Sequence, residues 1–188
     1  MANDEERWVA AARHGDREAF RRLVEAHARP LFALCSRITR DPALAEDAVQ
    51  EALLNAYRHL DNFDGRAAFR TWLHRIAVNA ALEQLRRQGK FEYVDNSDDD
   101  EAQEDFLERW AGEAPSPRQH AQAHEIRRHI GDELERMSAL ERTAFVLRHV
   151  EGHSLDDISQ ALSLNISACK QAIFRAVRKL RGALQPLR

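Results

Sequence analysis

The chain has 188 residues, enough for one ordinary domain or two small ones. Hydrophobic residues make up 44% and charged residues 31%, with only seven Gly and five Pro, which suits a chain that folds in water and argues against a β-rich, turn-rich fold. The net charge of −3 speaks at first against a nucleic-acid partner, but its distribution along the chain reverses that reading.

The first elements are helical by periodicity. A short helix is expected from Asp4 to His14, ended by Gly15, and Asp16 then caps a longer one. Phe20, Leu23, Val24, His27, Leu31, Leu34, Cys35 and Ile38 line one face of it, and Pro30 should kink it. Asp41-Pro42 places an N-cap before a proline at the first helical position, opening a helix to about Leu60. Its apolar stripe is Leu44, Ala45, Ala48, Val49, Ala52, Leu53, Ala56 and Tyr57. Opposite lie Glu46, Asp47, Gln50, Glu51 and Asn55, an acidic face that the helix dipole explains in part.

Asp61 to Arg66 reads as a loop, and it holds a phenylalanine, Phe63, that no helical face demands. A strong helix follows from Ala67 to about Arg87. Its core face is Phe69, Trp72, Leu73, Ile76, Ala77, Ala80 and Leu85, while Arg70, His74, Arg75, Asn79, Arg86 and Arg87 lie off it. Aromatic and basic residues interleaved beside a loop suit single-stranded nucleic acid, where bases stack on rings and phosphates meet Arg. Phe69 and Trp72 are more simply read as core; Phe63 is read as functional.

After Gly89 the composition changes. From Glu92 to Glu113 there are ten acidic residues and one basic, Arg109, so the remainder carries 27 basic residues against 21 acidic. A mildly basic body is thus joined by an acidic linker over residues 90–117, with Pro115-Ser116-Pro117 near its end. Phe106, Leu107 and Trp110 could make one amphipathic turn in it. A second domain is expected from Arg118, with Ile126, Ile130, Leu134 and Met137 on one helix and Leu140, Ala144, Phe145 and Leu147 on the next, which ends near Gly152.

The chain closes on SLDDISQALSLNISACKQAIFRAVRKLR, from Ser154 to Arg181. Ser154 and Asp157 resemble a capping box, and Leu155, Ile158 and Leu162 give a short helix one apolar face. Ser163, Leu164 and Asn165 form a turn, for which Asn suits a left-handed backbone. The second helix buries Cys169, Ile173, Ala176, Val177 and Leu180 and presents Lys170, Gln171, Arg175, Arg178, Lys179 and Arg181. No acid follows Asp157. A helix-turn-helix with a purely basic second helix is the pattern of a major-groove reader.

Enzyme chemistry finds little support. His120 and His124 have the spacing of a metal-binding pair, and His124-Glu125 with His129 comes close to a zinc-protease motif, but the last His falls one residue late. There is no phosphate loop, nucleophile elbow or zinc-spaced cysteine pair, so no catalysis, cofactor or metal is expected. Cys35 and Cys169 lie far apart on apolar faces and read as buried small hydrophobes in a reducing cytoplasm. No apolar run is long enough to span a membrane, and the N-terminus lacks the apolar core of a secretory signal. The expected fold is all-α, with two small helical domains at 1–89 and 118–188.

This pattern resembles the extracytoplasmic-function, or group 4, sigma factors of bacterial RNA polymerase. Asp47-Ala48-Val49-Gln50-Glu51 resembles the family's Asp-x-Val-Gln-Glu segment. Phe69-Arg70-Thr71-Trp72-Leu73-His74-Arg75-Ile76-Ala77-Val78-Asn79 is similar to aromatic-x-Thr-Trp-Leu-x-Arg-Ile-Ala-x-Asn, and Phe174-Arg175-Ala176 with Leu180-Arg181 to the end of the recognition helix. The resemblance implies that Glu46, Asp47, Gln50 and Glu51 dock on the coiled coil of the polymerase's largest subunit. It implies that Phe63, Asp64, Arg66, Arg70, Trp72, Arg75 and Asn79 hold the minus-ten element, with one base flipped out as the duplex melts. The linker would thread toward the RNA path. Ser167, Lys170, Gln171, Phe174, Arg175 and Arg178 would read the minus-thirty-five element, and the C-terminal domain would meet the flap of the second-largest subunit. An anti-sigma factor is a further partner class the resemblance admits. The chain departs from the family pattern at Ser163, Ala168 and Ala172, where Gly, Thr and often Arg are usual. The other reading is a stand-alone helix-turn-helix regulator, which would bind a palindrome as a dimer.

Overall fold

The computed structural model describes residues 2–91 and 130–184. Among them every regular element is helical: α1 (Ala2–Arg13), α2 (Arg17–Thr39), α3 (Pro42–Arg58), a 3-10 turn (Leu60–Asn62), α4 (Phe69–Arg87), α5 (130–136), α6 (Ala139–Phe145), a π turn (Val146–Val150), α7 (Leu155–Leu162) and α8 (Ile166–Leu184). The expected all-α fold is present. The acidic runs, the Phe106–Trp110 turn, Ile126 and the histidines at 120, 124 and 129 lie outside the described residues.

Local chemistry sets the helix starts. Asp16 accepts from the backbone N–H of Glu18 and Ala19, at 2.9 and 3.1 Å, and Asp41 does the same for Ala43 and Leu44 with Pro42 behind it. Such caps satisfy donors that the first turn leaves open and are each worth about 1 kcal/mol. Ser138 with Glu141 and Ser154 with Asp157 form complete capping boxes. Pro30 is accommodated within α2, which continues as one helix to Thr39.

The turn between α7 and α8 differs in detail from expectation. The left-handed residue is Ser163, at φ +53°, the position where a glycine would carry no Cβ penalty. The Ser159 hydroxyl donates to Leu164 O at 2.6 Å and holds the turn. Asn165 is instead the cap of α8, its side-chain oxygen accepting from Ala168 N–H at 2.7 Å.

Helices α1 to α4 pack into a bundle whose buried residues include Leu23, Leu31, Leu34, Ile38, Leu73 and Leu85. Each buried side chain of this size is worth about 1.5–3 kcal/mol relative to exposure. The C-terminal half does not stand apart from it. Leu140, Leu147, Ile158 and Ala161 belong to the same contiguous core, and α7 lies against α4 while α6 meets α2. Arg142, almost fully buried, donates to Ile38 O at 2.8 Å at the end of α2 and to Leu134 O and Met137 O beneath α6.

Three side chains sit otherwise than their spacing suggests. Tyr57 is 45% exposed at the edge of its stripe, its ring in an edge-to-face contact with Phe20 at a centroid distance of 4.9 Å. His74, read as off the core face, is 1% exposed because the C-terminal half covers it. Phe63 is 9% exposed rather than displayed on a loop. The 3-10 turn closes with Phe63 N–H on Leu60 O, which turns the ring inward against Phe69 and Trp72 at centroid distances of 5.5 and 5.4 Å.

Candidate nucleic-acid interface

Helix α8 follows the turn and presents Ser167, Lys170 and Arg178 to solvent, with Gln171 and Phe174 half-buried between them. Those five positions share one face at helical spacing. Arg175 does not join them. Its Nε lies 3.3 Å from the Glu141 carboxylate, and Lys179 Nζ takes the other oxygen at 2.6 Å. Glu141 is only 2% exposed, so the pair clamps α8 onto α6. An exposed basic stripe remains, but Arg175, expected near it, is turned toward Glu141.

The loop after α3 and the first turns of α4 form one wall of a cavity of about 440 Å³. Asn62, Phe63, Asp64 and Arg66 come from the loop, and Thr71, Trp72, His74 and Arg75 from α4. Gly65, at φ +75°, makes the loop's reversal possible, and Asp64 accepts from Arg66 N–H at 3.0 Å. Aromatic walls, two guanidinium groups and an amide can stack on a planar base and meet its polar edge. Asn79 is exposed two turns further along α4 and does not line the cavity.

The opposite wall belongs to the C-terminal half: Leu147, His153, Asp157, Gln160 and Ala161. Arg75 Nη1 donates to Gln160 Oε1 at 2.9 Å. Arg70 donates to Glu151 Oε2 at 2.7 Å, and Arg37 donates to Glu151 Oε1 at 2.9 Å. His74 Nδ1 lies 3.1 Å from His153 Nε2, so one of the two rings donates to the other. Burial, Arg70 and His153 together push the His74 imidazole down to about 3, and burial lowers His153 as well. Glu151, His153 and Gln160 escape sequence reasoning. The only local signal is the glycine between the first two, Gly152 at φ +73°.

On the far side of the bundle α3 exposes Glu46, Asp47 and Gln50. Glu51 is half-buried and held by Gln84 at 3.1 Å and by Arg87 at 3.7 Å. Leu54, 49% exposed, continues this ridge one turn beyond Gln50. Nothing within the described fold covers the ridge, so its acids remain available to a basic partner.

The Sigma-70 region 2 family matches residues 23–91, and the Sigma-70 region 4 family matches residues 127–180. The RNA polymerase sigma-H factor of Pseudomonas aeruginosa is 34% identical over 95% of this chain and 93% of its own length. The chain belongs to the extracytoplasmic-function sigma factors. It directs bacterial RNA polymerase to specific promoters for transcription initiation, and its partners are the polymerase core and promoter DNA. It is a recognition subunit rather than an enzyme.

Other relatives agree. The sigma-E factor of Escherichia coli is 33% identical over 95% of this chain and 93% of its own length. The solved sigma factor RpoE of Bartonella quintana, in complex with the anti-sigma factor NepR, shares the fold at TM-score 0.61 with 21% identity, covering 88% of this chain and 96% of that one. The match of both halves sets the stand-alone regulator aside for this sigma factor. No helix among the described residues is long and apolar enough to cross a membrane, and no group of three or more potential metal ligands gathers among them.

Proposed function

We propose the following division of labour within this sigma factor. Residues 1–89 dock on the largest-subunit coiled coil through Glu46, Asp47, Gln50 and Glu51, and read and melt the minus-ten element. Phe63, Asp64, Arg66, Arg70, Trp72, Arg75 and Asn79 carry that reading. Residues 90–117 link this unit to residues 118–188, which read the minus-thirty-five element through Ser167, Lys170, Gln171, Phe174 and Arg178 and meet the flap. Arg175 serves recognition by holding α8 in place against Glu141. The protein works in the cytoplasm, where its polymerase is, and an anti-sigma factor is a partner class open to it.

The observation that carries this reading is the cavity beside Trp72 and Arg75. It joins an aromatic wall, an amide and cations around one space of about 440 Å³, the groups that stack on a base and meet its polar edge. The test is reconstitution with sigma-free core polymerase. Specific transcripts are expected from a genomic template, with permanganate-reactive thymines just upstream of each start. Transcripts that begin without the added protein, or at random positions with it, would refute the assignment.

A further inference from the structure

We infer that helix α1 braces the base cavity from behind, and that His27 is the positioning residue through which it acts. The inference rests on the reading that the loop after α3 and the start of α4 hold a minus-ten base. It gives a part in that reading to a helix lying before residue 23, where the region 2 match begins.

Glu5, Val9 and Ala12 share one face of α1 at spacings of four and three. Val9 and Ala12 are buried in the core of the bundle. An acid on that inner face is out of place by burial alone, since carboxylates are rarely covered unless they are paired. The helix dipole favours acids in a first turn, but it does so equally for Asp4, which is exposed. What Glu5 meets is His27. Its Oε2 lies 3.3 Å from His27 Nε2, and the imidazole side chain is 9% exposed. The two are close without being aligned for a hydrogen bond, so this buried nitrogen has no such partner among the described residues. Such a nitrogen lowers stability compared with an apolar ring in the same place, and packing alone does not account for a histidine there.

The imidazole meets Phe69 in an edge-to-face contact, with ring centroids 5.4 Å apart. Phe63 and Trp72 both pack on Phe69, at 5.5 and 5.6 Å, and those two rings line the cavity. A chain of contacts therefore runs from α1 through α2 to the aromatic wall. At its other end α1 has a second hold. Arg13 Nη2 reaches Asp61 O at 3.5 Å, and Asp61 belongs to the 3-10 turn that closes with Phe63 turned inward. One helix thus holds the wall at two points, its α4 side through His27 and its loop side through Arg13. Stacking on a base needs rings fixed in orientation and spacing, so a wall held in this way captures an unpaired base at lower entropic cost than a loose one.

The test uses the full chain bound to core polymerase and a fork promoter, double-stranded through the minus-thirty-five element and single-stranded through the minus-ten element. Glu5→Ala removes the contact on His27, Glu5→Gln keeps an oxygen in its place, and Arg13→Ala frees the turn. Glu6→Ala, at an exposed acid on the same helix, repeats the charge change away from His27. Glu5→Ala and Arg13→Ala should each weaken fork binding about tenfold. Glu5→Gln and Glu6→Ala should stay within about twofold of the parent. An abasic site is then placed at each minus-ten position in turn. At the position whose base fills the cavity, the parent and both weakened variants should bind alike, because no base is left for the wall to hold. His27→Phe keeps a ring against Phe69 without a nitrogen for Glu5 to meet, so adding Glu5→Ala to it should weaken binding no further. Full fork binding by Glu5→Ala overturns the brace, and full binding by Arg13→Ala overturns its hold on the turn. A deficit that persists at every abasic position, as a general loss of folding would give, overturns the brace as well. A further loss from Glu5→Ala on His27→Phe removes His27 as the positioning residue. A parent chain indifferent to abasic sites throughout the minus-ten element refutes base capture by the cavity and the brace with it, so failure of that reading is told apart from failure of the brace alone.

Discussion

Arg175 on α8 and Glu141 on α6 meet at 3.3 Å, with the carboxylate 2% exposed and the guanidinium side chain 19% exposed. This pair separates the cation that holds the recognition helix from the cations that face outward on it. Breaking a buried pair leaves the surviving charge without a partner, which costs about 3–5 kcal/mol when burial is complete. Glu141→Ala should therefore lower stability by about 3 kcal/mol, read by urea unfolding. Arg175→Ala should lose stability together with DNA binding. Arg178→Ala should weaken DNA binding alone, by an amount that shrinks as salt rises. A fully stable Arg175→Ala with selective loss of promoter binding would return Arg175 to the DNA face.

The α3 ridge yields a second prediction. Glu46 and Asp47 are exposed and outside the core, so reversing both to Lys should leave stability within about 0.5 kcal/mol. Binding to core polymerase should be lost, as measured by co-elution or competition with another sigma factor. Glu51 is a poorer choice for this test, because its substitution also releases Gln84 and Arg87. Undiminished core binding by the folded double variant would move the docking site elsewhere.

The aromatic cluster separates Phe63 from Asn79. Phe63 packs against Phe69 and Trp72 and is 9% exposed, so Phe63→Ala should cost about 3–5 kcal/mol and unfold the loop with it. Asn79 is exposed, and Asn79→Ala should leave the melting temperature unchanged while reducing permanganate reactivity at the promoter. Normal open-complex formation by Asn79→Ala would remove that residue from minus-ten reading.

The histidine pair makes the packing of the C-terminal half on α4, called the closed state here, depend on pH. His74 faces His153 across the contact, with Arg70 on its own helix, Glu151 at 3.9 Å and His27 on α2; Asp157 stands near His153. The closed state keeps His74 neutral, with its imidazole pushed down to about 3, whereas an open or unfolded chain protonates it near the ordinary value of about 6.5. Closed molecules thus bind fewer protons than open ones. Closure is at full strength above about pH 6.5 and weakens as pH falls below it toward about 3. Energy transfer between dyes on the two halves should decline over that range. His74→Gln, which can hydrogen-bond but not titrate in this range, should flatten the profile, and an unchanged slope would show that other groups govern it.

The thiols offer a plain check on the core. Cys35 and Cys169 are both buried, and burial pushes the Cys35 thiol up to about 12. Both should resist alkylation near pH 8 in the native state and react at once in urea.

How much was legible without coordinates follows from which forces are local. Asp16, Asp41, Ser154 and Gly152 marked helix boundaries because capping and left-handed turns are settled within four residues of the chain. The stripes through α2, α3 and α4 predicted the core because burial recurs with the helical period. The basic face of α8 and the family motifs were legible for the same reason. Tyr57 and Arg175 were misplaced because each borders its stripe, where a neighbouring helix decides whether a side chain is covered. Phe63 was misplaced because a loop has no period, and only the 3-10 turn shows that its ring closes back on Trp72. The contact of Glu151 with Arg37 and Arg70 lay further from reach. It joins residues 114 and 81 positions apart, and no local pattern records such a pairing. By itself the sequence determined the helices, their caps and the chemistry each one carries. Only the tertiary structure decided which of those groups face DNA and which face each other, because that depends on how whole helices pack rather than on any stretch of chain.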